Sequence, residues 1–203
     1  MMTKAEQTRN FIVEKTASIF NTKGYAGTSL NDITAATGLT KGSIYGNFAN
    51  KDEVALAAFD YNFANNVSNI ESEMSNKGTT KGKLLAYVSI YERFLFSGIS
   101  IGGCPILNTA TDADDTHPAL RERAIKAILA WKKRIIALVD EGIISKEIDE
   151  AHDPEQIALT IIAMIEGGIM ISRLTNKADY WSLIMDSLKK YINSLDLANL
   201  CCK

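Results

Sequence analysis

The chain has 203 residues, with 22 Lys and Arg against 24 Asp and Glu and a formal net charge of −2. That balance excludes a protein that coats nucleic acid by wholesale positive charge, and a 46% hydrophobic, 23% charged composition excludes a disordered chain. No uncharged apolar run reaches the roughly 18–20 residues of a membrane span, and the opening MMTKAEQTRNF carries no apolar signal segment, so a cytoplasmic protein without a membrane partner is expected.

The scarcity of proline, three residues in all, favours an all-α fold. A first helix is expected over residues 3–23, with Phe11, Ile12, Ala17, Ile19 and Phe20 on its buried side and Gly24 ending it. Tyr25-Ala26-Gly27 then leads into TSLNDITAATGLTKGSIYGNFANKDEV, residues 28–54, the most informative stretch in the chain. Thr28 and Ser29 offer side-chain oxygens that cap a second helix, whose apolar face is Leu30, Ile33 and Thr34. Gly38 ends it, since glycine accepts the left-handed backbone required there. Leu39 points back to the core, and Thr40 caps a very short helix at 40–46. Asn50 and Glu53 are spaced as a capping box, which starts another helix near Lys51. Two short helices about a glycine-containing turn make a helix-turn-helix unit, the all-α N-terminal domain of residues 1–50.

From Lys51 a longer helix is expected to run to Met74, with Val54, Ala55, Ala58, Phe59 and Phe63 on one side, linking that domain to a second at 75–203. SNKGTTKG, residues 75–82, reads as a linker. Helical periodicity returns at Leu84, Leu85, Val88, Tyr91, Phe94 and Leu95, and the glycines and proline of residues 97–105 break it. Ile106 to Ala113 is a short helix. Asp115 and Thr116 are caps for a long one, with Pro118 in its first turn and Leu120, Ala124, Ile128, Trp131, Ile135 and Leu138 as its stripe. Gly142 is expected to end it. Asp153-Pro154 opens a helix at 154–174 that is apolar over much of its circumference, and Trp181, Ile184, Met185, Leu188, Tyr191, Ile192 and Leu195 keep a 3.6 spacing along the last helix. No internal repeat or low-complexity segment is present.

The run Thr28, Asp32-Ile33, Gly38-Leu39, Thr40-Lys41-Gly42-Ser43-Ile44-Tyr45, Phe48 and Lys51-Asp52 resembles the signature of the tetracycline-repressor family of bacterial transcriptional regulators. The resemblance implies a DNA-binding N-terminal domain and a C-terminal helical bundle that binds a small-molecule effector and forms a homodimer. It also implies a repressor that leaves a palindromic double-stranded DNA operator when the effector shifts the helix at 51–74. Gly46-Asn47 departs from the pattern, since many members carry a bulkier pair there.

Candidate chemistry follows from these positions. Thr40, Lys41, Gly42 and Ser43 begin the short helix, where a recognition helix meets base edges. Tyr45, Asn47 and Lys51 are candidate phosphate contacts, and Thr28 and Ser29 add hydroxyl or backbone N–H groups. The N-terminal Lys4, Thr8 and Arg9 are further phosphate candidates. The competing reading makes Tyr45 core and Thr40 merely a cap. For an effector pocket the apolar set is Tyr87, Tyr91, Phe94, Cys104, Ile106, Leu107, Ile128, Trp131, Ile135 and Met164, each of which also fits a plain core role. Surplus apolar surface on the last two helices either completes the core or meets a second chain, through Ile161, Ile165, Gly168, Ile169, Trp181, Leu188 and Ile192. Cys104, Cys201 and Cys202 have no metal-type spacing, so no disulfide framework, metal or cofactor is expected. Cys104 with His117 and Asp114 or Asp115 forms no catalytic motif, and no enzyme is expected; His152 is read as solvated. The rival from another class is a small-molecule-binding or thiol-sensing helical protein with a vestigial DNA module, the thiol being Cys104.

Overall fold

The computed structural model describes residues 2–96, 102–113 and 115–196, with the side chains of 93–96 excepted. Among these residues there are nine helices and no strand, as the proline-poor, helically periodic sequence requires. They are α1 (Lys4–Gly27), α2 (Leu30–Thr37), α3 (Lys41–Tyr45), α4 (Lys51–Met74), α5 (Thr80–Phe96), α6 (Pro105–Ala113), α7 (Pro118–Ile144), α8 (Pro154–Thr175) and α9 (Ala178–Asn193). Two compact units result, Met1–Val67 with Ser100–Ala127 and Ser68–Ile99 with Ile128–Lys203. The division differs from a boundary after residue 74: α6 and the start of α7 belong with the helix-turn-helix.

In the first unit α1 buries Ile12, Val13, Thr16, Ala17 and Phe20. Phe11, expected inside, is 38% exposed, and Ile19 is half-buried, because the buried stripe is centred one position further along the helix. Gly24 breaks the helix as expected, with φ 69° and ψ 179°, and one further turn follows before Thr28. Polar groups on α6 hold that end of α1. Asn108 Nδ2 donates to the Asn21 carbonyl at 2.9 Å, and the Tyr25 amide donates to Asp112 Oδ2 at 2.7 Å. A Cβ on Gly24 would lie 2.6 Å from Asp112 Oδ1, so the missing side chain makes room for the carboxylate. Gly38, with φ 68°, closes α2 in the left-handed conformation, with open space where a Cβ would be.

Several helix ends differ from expectation. α7 is capped by His117, whose Nδ1 accepts the Leu120 amide at 3.2 Å, rather than by Asp115 or Thr116. The Thr116 hydroxyl donates instead to the Asp112 carbonyl. In the second unit α5 begins at Thr80, shortening the linker to 75–79. Thr79 accepts the Gly82 amide, and Glu147, from the loop after α7, accepts the Thr80 amide at 2.8 Å. A carboxylate there opposes the positive end of the helix dipole. Gly142 lies inside α7, close to Ile148 and the Thr80 methyl, and the left-handed residue after the helix is Lys146.

α8 and α9 form the second unit's helical hairpin, joined at Asn176 in the left-handed conformation. Trp181 is fully buried and packs on Gly168, whose added Cβ would lie 3.1 Å from the indole. By length and composition α8 is apolar enough to cross a membrane, with a mean hydropathy of 1.8, although Glu166 keeps its uncharged runs well short of the roughly 18–20 residues considered above. Its side chains at Ile157, Ala158, Ile161, Ile162, Ile165 and Ile169 are nonetheless buried in the chain's own core. Asp153 caps it with Pro154 in the first turn, as expected.

Gly24→Ala is expected to lose about 3 kcal/mol of stability in urea unfolding, from a backbone region closed to other residues plus the clash with Asp112. Gly38→Ala, strained but uncrowded, should lose only about 1 kcal/mol.

Candidate nucleic-acid interface

Three short segments build the reading head, and each is closed by local chemistry. Ser29 caps α2 in a reciprocal box: its Oγ accepts the Asp32 amide at 3.2 Å, while Asp32 Oδ2 accepts the Ser29 amide at 2.8 Å. Lys23 Nζ donates to the other carboxylate oxygen at 2.6 Å. The Lys23 ammonium, then the Ser29 hydroxyl and amide, hold the Asp32 carboxyl far below the usual carboxylate range. Thr40 caps α3 by accepting the Ser43 amide at 3.2 Å. At the start of α4 Asn50 Oδ1 accepts the Glu53 amide, but Glu53 reaches back to the Ala49 amide at 2.7 Å, one residue earlier than a regular box.

Two cations tie these segments together from inside. Arg9 on α1 donates to the Asn47 carbonyl and to Glu53, both at 2.6 Å, with its guanidinium 4.0 Å from the centre of the Phe48 ring. Lys51 donates to the carbonyls of Tyr25 at 2.9 Å and Thr28 at 3.1 Å, and lies 4.0 Å over the Tyr25 ring. Both residues were candidates for phosphate; in the single chain Lys51 is bonded to two backbone carbonyls, and Arg9, its side chain 38% exposed, to one carbonyl and to Glu53. Thr28 is likewise turned inward, 1% exposed, with its hydroxyl donating to the Gly24 carbonyl. The Ser29 hydroxyl donates to Asp32. Asn47 Nδ2 closes the end of α3 on the Ser43 carbonyl at 2.9 Å.

α3 is different. Thr40, Lys41, Gly42 and Tyr45 are exposed, and Lys41 and Tyr45 have no hydrogen-bond, ion-pair or ring partner among the described residues. Tyr45 is 48% exposed while Ile44, beside it, anchors the helix in the core. The solvent face of α3 therefore offers an unpaired ammonium, a free phenol and a glycine that permits close backbone approach. The residues that position this face, Arg9, Tyr25, Asp52, Asp112 and His117, meet across separations of tens of residues. No local spacing marks them.

The apolar positions expected to line a pocket divide between the units. Tyr87, Tyr91, Ile128, Trp131, Ile135 and Met164 belong to the second unit, where Trp131 lies 6.0 Å from Tyr87 and 5.8 Å from Tyr91 between ring centres. Burial pushes the Tyr87 phenol up to about 12, and the buried Trp131 indole N–H lies beside that phenol. Cys104, Ile106 and Leu107 belong to the first unit; the Phe94 side chain, Asp114, Cys201 and Cys202 lie outside the described residues. Cys104 is 2% exposed, which fits a packing role and denies a reagent direct access to its thiol. A cavity of about 20 Å³ beside Asn21, Asn62, Asn108 and Asp112 has room for one water, not an effector. Among the described residues no group of His, Cys, Asp and Glu could hold a metal.

The dimer candidates Ile161, Ile165, Gly168, Ile169, Trp181, Leu188 and Ile192 are all buried within the single chain. The apolar side chains left exposed are others: Leu159, Met170, Ile171 and Leu174 on α8 and Leu183 on α9.

Residues 12–58 match the family model of bacterial regulatory proteins of the tetR family, and residues 80–188 that of the tetracyclin repressor-like C-terminal domain. A TetR-family transcriptional regulator of Cytophaga hutchinsonii is 46% identical over 98% of this chain and 100% of its own, with a TM-score of 0.94. A TetR transcriptional regulator of Chloroflexus aurantiacus is 39% identical over 94% and 96%, with a TM-score of 0.87. YxaF of Bacillus subtilis, an uncharacterized HTH-type transcriptional regulator, is 29% identical over 87% of this chain and 90% of its own.

The depressed Asp32 carboxyl sets a pH dependence. Its folded value lies below the unfolded one of about 3.9, so its stabilisation is complete above that pH and is lost as pH falls through the folded value. Urea unfolding of the native chain is therefore expected to weaken below about pH 4 more steeply than that of Asp32→Asn.

Proposed function

This chain belongs to the tetracycline-repressor family of bacterial regulatory proteins, DNA-binding transcriptional regulators, and from that premise we propose a homodimeric, cytoplasmic repressor released from a palindromic operator by a small molecule. The observation that carries the DNA reading is the contrast in the reading head: Arg9 and Lys51 are bound inward, while Lys41 and Tyr45 on α3 face solvent without partners. In this reading α3 enters the major groove, Lys41 meets a guanine or a phosphate, Gly42 and Ser43 lie close to the bases, and Tyr45 contacts the backbone with support from Thr40 and Asn47. Two copies then read half-sites about one helical turn apart, roughly 34–36 Å.

The second copy is expected on the exposed side of α8, where Leu159, Met170 and Leu174 lie opposite the stripe that packs on α9, with Leu183 beside them. The effector is expected among Tyr87, Tyr91 and Trp131, where the indole N–H and the Tyr87 phenol provide polar handles in an apolar setting. Its effect on DNA follows from differential affinity for two arrangements of α4 and α7, the helices that contribute residues to both units.

Selection from random duplexes at moderate salt should recover a palindromic site; recovery of no enriched sequence would reject the DNA reading. On that site Lys41→Ala is expected to lower the salt slope by about one, whereas Lys51→Ala should leave the slope unchanged and lose about 1 kcal/mol of folding stability. For the dimer, Met170→Glu should give a monomer in sedimentation with an unaltered melting temperature. Gly168→Glu should unfold the hairpin instead, because its side chain meets Trp181 and Met185. A native chain that sediments as a monomer at micromolar concentration would contradict the homodimer.

A further inference from the structure

α3 reads KGSIY, and the side chains that fork onto a single base, Arg on guanine and Asn or Gln on adenine, are missing from it. Asn47, two residues beyond, carries such a fork, but the residue is half-buried and its Nδ2 donates to the Ser43 carbonyl at 2.9 Å. Ile44 faces the core. Thr40 and Ser43 carry hydroxyls, which meet any base and discriminate little, and the Thr40 oxygen also holds the Ser43 amide. Lys41 is left as the side chain on α3 suited to a guanine edge, exposed and without a hydrogen-bond or ion-pair partner among the described residues. Glycine takes much of the remaining solvent face. Gly42 and Gly46 lie one helical turn apart, the Gly46 amide donating to the Gly42 carbonyl at 2.9 Å, and both are exposed. Gly46 has φ −73° and ψ −16°, an ordinary right-handed conformation open to any residue. A Cβ there would meet the Gly42 and Ser43 carbonyl oxygens at 3.3 and 3.6 Å, and no other element within 4 Å. The fold thus has room for a side chain at 46 once one carbonyl gives slightly, and the missing side chain is felt on the solvent side, beside Tyr45.

We propose that this chain reads one guanine per half-site, through Lys41, that Gly46 keeps it to one, and that groove shape and deformability choose the rest of the operator. The inference rests on α3 entering the major groove, as in the function proposed above. There a lysine ammonium donates to guanine O6 and N7, a pair of acceptors that no other base presents. Contacts from Tyr45 to the sugar–phosphate backbone set register and carry no sequence information. Base pairs that α3 does not touch still differ in how readily they bend or narrow a groove, and that difference is what remains to select them. A long side chain at 46 would stand one turn beyond Gly42 on the same exposed face and reach a second base edge.

In the duplex selected by the native chain, each purine is replaced singly by its 7-deaza analogue, which loses the N7 acceptor and keeps its pairing. Affinity should fall about three- to tenfold at one guanine of each half-site and less than about twofold at every other purine. Lys41→Ala should lose that sensitivity and bind all the analogues alike. Selection repeated with Gly46→Arg should recover a site with a further guanine in each half-site, and a 7-deaza scan of that site should show two sensitive guanines. Gly46→Gln, an uncharged change, should add an adenine instead, and thermal melting of both variants checks that the head is folded. Sensitivity at two or more purines per half-site, at none, or at a guanine to which Lys41→Ala stays sensitive would overturn the proposal. So would an unchanged site for the folded Gly46 variants. A native chain that binds no duplex would reject the DNA reading itself, whereas a bound operator with the wrong pattern of sensitive purines would reject this inference alone.

Discussion

The Tyr25 amide donates to Asp112, and the placing of the reading helices depends on that bond. Where Gly24 turns out of the helix, the next N–H has lost its carbonyl partner, and a buried unpaired amide would cost about 1–3 kcal/mol. The remedy comes from α6, far away in sequence, and it works only because Gly24 has no Cβ in the carboxylate's path. Once fixed, Tyr25 distributes the constraint: its carbonyl to Lys51, its hydroxyl to Asp52, its ring to both Lys51 and His117. A single residue after a helix break thus sets where α2 begins and where α4 begins.

The chain's charge is used accordingly. With a net charge of −2, it has little long-range field to draw DNA, and two of the cations nearest the reading head are bonded to its own carbonyls. Recognition on this plan relies on shape, a preformed α3 and a few exposed donors. The many surface ion pairs of the second unit, such as Lys83 with Glu141 and Arg134 with Glu71, contribute about 0–1 kcal/mol each and do not define the fold.

Much of this was legible in the residues. The limits of α4, α6 and α8, the caps Ser29, Thr40 and Asp153 and the left-handed Gly38 follow from spacing and cap chemistry, which act within a few residues. What escaped was long-range. Nothing adjacent to Glu147 announces that it caps α5, nor anything near Arg9 that it clasps Phe48. His117 as a cap was hidden by the better-known cap residues before it. The same limit applies to α8: periodicity identifies an apolar face, but the chain's own core takes Ile161, Ile165 and Gly168, and the exposed apolar side chains are the less regular set Leu159, Met170 and Leu174.

Both tryptophans, Trp131 and Trp181, lie in the second unit, and both are buried. The first unit, with the reading head, has none. Intrinsic indole emission is therefore an optical report on one unit alone. Trp131 sits among the aromatic groups of α5, and Trp181 in the seam between α8 and α9. A dye-free spectrum can follow events in that half of the molecule while tyrosine and amide signals follow the other, and replacing either tryptophan by phenylalanine assigns the emission to one helix seam.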